Sequence, residues 1–191
     1  MYRPVRMFSF ASFLFMFANP VVAQESAARL HTHIRSANSR LCAVIALGVK
    51  VSPTLRTIVE RIESSDVIAY IDMRLLTTPG VAAQSQFVNA AGGRRYVRVL
   101  IDSRFNGTVL LGLLGHELQH VAEIAGEPSI VDHQSVAAFY RRTGFRSPVG
   151  GANRFESAAA IAAGRRVMND ASEHASDVNA AVGRAKQGGH E

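Results

Sequence analysis

"LLGLLGHELQHVAEIAGEPS", residues 110–129, places two histidines and three acids in a run that otherwise reads as a buried helix. Leu110, Leu111, Leu114, Leu118 and Val121 recur at helical spacing and make one apolar stripe. At about 100° per residue, His116, His120 and Glu123 fall on the far side. Asn106 stands where a cap belongs, Gly126 where the helix should stop, and Pro128 just beyond, so the helix is expected over about 107–125. One face would enter the core and the other would look into a cleft.

The polar face spells His-Glu-x-x-His, from His116 to His120. Histidines four apart lie one turn apart on one side of a helix, so both imidazoles can reach one ion. Glu117 sits beside that side and can reach a water on the ion without being a ligand. A zinc-bound water has its pKa lowered toward ~7, and a neighbouring carboxylate can take its proton as it attacks a carbonyl. Zn2+ is thus the expected cofactor. A third ligand is needed. Glu123 lies seven residues from His116, a rise of about 10 Å, so it suits an acceptor behind His120 better than a ligand. Asp132 and His133 could swing back after the turn, with a helix cap as the ordinary role of Asp132.

The surroundings set the frame. Ser52 and Pro53 open a helix with Leu55, Ile58, Val59 and Ile62 on one face, after an earlier helix over roughly 26–50. "VIAYIDM" (67–73) is a strand, and "SQFVNAAGGRRYVRVLID" (85–102) is a hairpin around Gly92-Gly93. Asp132 caps a helix to about 143, ended by Gly144; Asn153 is expected to open a last one reaching about 170. Helices, three strands, then helices make an α+β domain, mostly helical, with a small and mostly antiparallel sheet packed on the motif helix.

The 191 residues bound the rest. Arg3 and Arg6, the apolar run "MFSFASFLFMFA" and the small residues ending at Ala23 read as a secretory leader, too short to span a bilayer. The expected organisation is a leader over 1–23, one domain over 24–172 and a polar, flexible tail over 173–191. The protein would then be periplasmic or secreted. The leader carries two arginines and no acid, so the mature charge is +6 less 2, or +4. The arginines are scattered, so nucleic acid is not expected as a partner, and no later stretch is apolar enough to span a membrane. The single cysteine, Cys42, excludes an intramolecular disulfide and reads as a core residue within "LCAVIALGV".

"GHELQH" on a core helix after a hairpin resembles the zincin metallopeptidases, over roughly residues 86–170 and here of a small exported bacterial type. The resemblance implies that His116 and His120 bind zinc, that Glu117 is the general base, and that a peptide or protein is the substrate. It also implies that a preceding strand, "RRYVRVLID" or "SQFVNA", pairs with extended substrate. The metzincin continuation is absent, since Glu123 stands where its glycine would be. The gluzincin layout takes its third ligand from a glutamate early on a later helix, which Glu156 in "NRFESAAAIAAGRR" matches; Ala160 stands where thermolysin-like enzymes have an aspartate. Three residues after Asn153, Glu156 also fits a capping box. Glu156, Glu123, Asp132 and His133 therefore all stand as third-ligand candidates. Tyr140 could donate to an oxyanion or pack its ring in the core. Zinc-dependent peptide hydrolysis is the expected function; the alternative is a non-catalytic exported protein whose metal only ties two helices together.

Overall fold

The computed structural model describes residues 32–149, 154–176 and 178. The expected leader, Asn153 and residues 179–191 lie outside the described residues. A two-residue strand β1 (Ile34–Arg35) leads into α1 (Ser39–Val51) and α2 (Pro53–Glu63). Then come β2 (Val67–Arg74), β3 (Ala83–Ala91) and β4 (Arg94–Asp102). The motif helix is α3 (Gly107–Ala125), followed by α4 (His133–Thr143), the short strands β5 (Phe145–Arg146) and β6 (Phe155–Glu156), and α5 (Ala158–Glu173). The fold is α+β.

The main sheet runs β1-β2-β4-β3, with β1–β2 and β2–β4 parallel and β3–β4 antiparallel. It is thus mixed, with four strands where three mostly antiparallel ones were expected. The hairpin forms as its glycines demand, both at positive φ (58° and 71°). What local pattern does not contain is that β4 docks beside β2, leaving β3 on the edge. Nor does a two-residue strand leave a pattern: β1 is anchored by Glu63, which accepts the backbone N–H groups of Thr32, His33 and Ile34.

Alternation in β4 buries Val97, Val99 and Ile101 in the core, while Arg98 stays exposed on the other face. Across that core lie Leu110, Leu111, Leu114, Leu118 and Val121 of α3, all fully buried. At roughly 1.5–3 kcal/mol per buried leucine, this stripe is a main reason that α3 sits where it does. Its C-terminus is held by Arg95, which donates to the carbonyls of Ile124 (2.7 Å), Ala125 (3.2 Å) and Glu127 (2.7 Å) and pairs with Asp66 at 2.6 Å. A buried cation there complements the negative end of the helix dipole.

Cys42 is exposed, contrary to expectation. Helical geometry turns Leu41, Val44, Ile45 and Gly48 inward and leaves Cys42 outside, although the run is apolar throughout. The last helix is capped by Ser157, whose Oγ accepts from Ala160 N–H at 3.0 Å. It starts later than expected, with Ser157 as its N-cap, so Glu156 stands before the helix, in β6. Beyond α5, Val178 is buried and donates its N–H to the His174 carbonyl. Among the described residues no single helix is long and apolar enough to cross a membrane.

Small residues let α3 and α5 approach closely. A Cβ on Gly115 would lie 2.6 Å from Val167 Cγ2, and one on Gly164 would lie 3.0 Å from both His116 Cβ and the Gly112 carbonyl. This crossing sets where the chain just before α5, including Glu156, meets the histidine face. Gly115→Ala gains about 0.5–1 kcal/mol of helix propensity but must displace the buried, β-branched Val167. Overpacking of about 1–3 kcal/mol outweighs that gain. Urea unfolding of the metal-free chain should therefore show Gly115→Ala less stable than wild type; a more stable variant would mean that the two helices can part at no cost.

Candidate metal centre

His116 and His120 project from successive turns of α3, their ring centroids 5.1 Å apart. Glu156 meets them from β6. Its Oε1 lies 3.2 Å from His116 Nε2 and 3.0 Å from His120 Nε2. One potential ligand atom from each of the three residues falls within 4.8 Å of the other two. Ligand bonds of about 2.0–2.1 Å in a tetrahedron give ligand–ligand edges of ~3.3 Å, so the spacing suits one small ion. The chemistry of the donor set agrees. A carboxylate oxygen facing two imidazole nitrogens needs positive charge between them; a proton can bridge one such line, an ion all of them. These three residues could hold a metal.

Behind His120 the structure supplies an orienting network. His120 Nδ1 lies 3.1 Å from Glu123 Oε2 and 2.9 Å from the Tyr140 hydroxyl, which itself donates to Glu123 Oε2 at 2.9 Å. The other Glu123 oxygen accepts from Ser157 Oγ at 2.6 Å. An Nδ1–H directed at Glu123 leaves Nε2 to face Glu156 and any ion. Glu123 is therefore placed as the acceptor behind His120 and not among the converging ligand atoms. Tyr140 takes a different place from the oxyanion donor considered for it. Its buried hydroxyl lies on the Nδ1 side of His120, bonded to Glu123, and its ring stacks on Phe155 with centroids 5.9 Å apart. Asp132 and His133 do not join the ligand group: Asp132 closes a capping box with Ser135, and the His133 ring meets Phe87 edge-on.

Electrostatics follow from this packing. Burial opposes charge on the His120 imidazole, but hydrogen bonds to Glu123 and Glu156 and the charge of Glu117 outweigh it and push its pKa up to about 10. In the metal-free chain a proton on His120 thus stabilises the fold fully below its ordinary value of about 6.5, and that contribution is lost as pH rises through about 10. Burial raises the Glu156 pKa, yet bonds from His116 and His120 hold it far below the usual carboxylate range. Glu123 is also lowered, burial being offset by His120 and Ser157. Burial, reinforced by the nearby carboxylates, pushes the Tyr140 phenol up, so it stays a donor.

Glu117, 5% exposed, lies on the same helix beside the histidines, and its Oε2 accepts from Ser85 Oγ at 2.6 Å. Ser85 belongs to β3, the edge strand. Of the two strands considered for pairing with an extended chain, β4 is paired on both sides, whereas β3 has one open edge among the described residues. Asp102 N–H bonds to the Ala82 carbonyl, so even-numbered residues there face β4, and Ala83, Ser85 and Phe87 turn their backbone groups outward. A cleft of about 830 Å3 runs between this edge, the histidine face of α3, α4 and the segment around β6.

The sequence brings together His116, Glu117, His120, Glu123 and Glu156 but does not point to Ser85 or Ser157. Ser157 had a signal: a Ser three residues before the amide it caps, at the head of a run of alanines. Ser85 had none, because its partner is on another element. The chain matches no family model, no curated protein and no solved structure.

Proposed function

We propose that the chain is a zinc-dependent peptidase of the zincin kind, acting after export. The observation that carries this is the meeting of His116 Nε2, His120 Nε2 and Glu156 Oε1 in an open cleft, with the Glu117 carboxylate on the neighbouring residue. Zinc held by these three groups would lower the pKa of a bound water toward ~7 and polarise a carbonyl. Glu117 is the base that takes the proton of the attacking water and passes it to the leaving amine. Ser85 holds one of its carboxylate oxygens and leaves the other to accept. Ser85 and Phe87 offer outward N–H and C=O groups to an extended peptide along β3. Glu123 and Tyr140 keep the His120 ring in orientation. A metal serving only to tie helices together would need neither an adjacent uncoordinated carboxylate nor a cleft of this size.

The test is zinc titration of the metal-free chain followed by hydrolysis of a peptide library. One zinc per chain is expected, with release of the His120 proton near pH 7 and cleavage that chelation abolishes. Calorimetry in buffers of different ionisation enthalpy reads the proton. A chain that takes up no zinc, or a zinc-loaded chain that cleaves nothing, overturns the proposal.

A further inference from the structure

Glu117 and Glu156 are the acids lining the cleft, and both have tasks at the metal centre; Arg154 is the one lysine or arginine that lines it among the described residues. Arg154 is half-buried, and no carboxylate among the described residues pairs with it. Its guanidinium instead donates to two neutral acceptors on the cleft wall, Gln84 Oε1 at 2.7 Å and the Ala83 carbonyl at 3.1 Å. These fix the plane of the group. Arginine has five N–H donors, so about three remain for a ligand. A half-buried cation held by neutral partners in a cleft is a ready site for a planar anion, with its orientation set beforehand.

Its position is defined from two directions. Arg154 precedes Glu156 by two residues in extended chain, so both side chains leave on the same side, about 7 Å apart along the backbone. Its acceptors, Ala83 and Gln84, immediately precede Ser85, which holds Glu117. Arg154 thus stands two residues before the candidate ligand Glu156, and its acceptors stand one and two residues before the residue that holds Glu117.

We propose that Arg154 recognises a substrate carboxylate, so that the favoured substrates are peptides carrying one about two residues from the cleaved bond. The carboxylate can be an Asp or Glu side chain or the free C-terminus. This rests on the peptidase reading for the cleavage but not for the binding. The bonds to Gln84 and Ala83 also pin the chain just before β6 to β3, a structural role that by itself would give no preference for acidic over neutral peptides.

The experiment uses the full chain, zinc-loaded, and fluorogenic peptides in matched pairs. In one arm Glu replaces Gln at each position up to two residues from the cleaved bond; in the other a free C-terminus replaces an amide. Wild type should favour the carboxylate member by about tenfold in kcat/KM, and the arm that shows it identifies the source. Arg154→Gln should bring the ratio near one; Arg154→Lys, with charge but no fork, should keep part of it. Because ratios are compared, a general loss from a loosened β6 cancels. A second readout is the anisotropy of labelled peptides on the Glu117→Gln chain, with tighter binding of the carboxylate member that disappears when Arg154→Gln is added. Equal treatment of both members by wild type, or a preference that survives Arg154→Gln, overturns the inference. Cleavage without preference would leave the peptidase reading intact, whereas Arg154-dependent binding without cleavage would refute the peptidase reading alone.

Discussion

Glu117→Gln will retain zinc and lose hydrolysis by on the order of 10²–10⁴-fold. The amide has nearly the shape of the carboxylate, and its oxygen can still accept the Ser85 hydroxyl that now bonds Oε2 at 2.6 Å. It cannot accept a proton from water. Glu117 is 5% exposed, so the site should not refill with solvent when the charge is lost. Metal analysis and turnover on the same preparation check both halves. Full zinc with activity within tenfold of wild type would remove Glu117 from the role of base. Loss of zinc with the activity would make Glu117 a ligand and reopen the assignment of Glu156.

How the sequence came to disclose this much has a physical basis. The motif helix was legible because everything that fixes it is local: a leucine stripe at helical period, His116 and His120 one turn apart, and Gly126 as the stop. The α4 helix was legible for the same reason, with Asp132 and Gly144 at its ends. Cys42 was misplaced because a continuous apolar run does not say which side of a helix faces in. The sheet order was hidden because the insertion of β4 between β2 and β3 is decided by packing between distant segments. The site divides along the same line. Glu123 could be placed behind His120 from spacing alone, since both share α3. Glu156 is legible only through the zincin resemblance, which sets it on the last helix, and that helix starts after it. Ser85 and Arg154 matter only because β3 and β6 meet the cleft, and no spacing in the chain encodes that.

Glu156→Ala will cut zinc affinity by on the order of 10²–10³-fold, the second large effect. Structural zinc sites with four ligands bind with about 10–16 kcal/mol, or roughly 3 kcal/mol per ligand. Losing one of three ligands should cost at least that share. Glu123→Ala should cost less, about 10–100-fold, because it only orients His120. Its removal strands the Tyr140 and Ser157 hydroxyls, which now donate to it at 2.9 and 2.6 Å, so some loss of stability should accompany the loss of affinity. The Glu156 carboxylate accepts the Ser157 backbone N–H at 2.9 Å, but the side-chain cap of α5 is Ser157, and Ser157→Ala should cost about 1 kcal/mol of stability through α5. The three variants therefore separate in two measurements, zinc titration and urea unfolding of the metal-free chain. Glu156→Ala should fall furthest in the first, and Ser157→Ala should register in the second. Unchanged zinc affinity in Glu156→Ala would break the gluzincin-like layout. With Asp132 closing its capping box and His133 against Phe87, Glu123 would then be the remaining candidate, and it would have to leave Tyr140 and Ser157 to reach the ion.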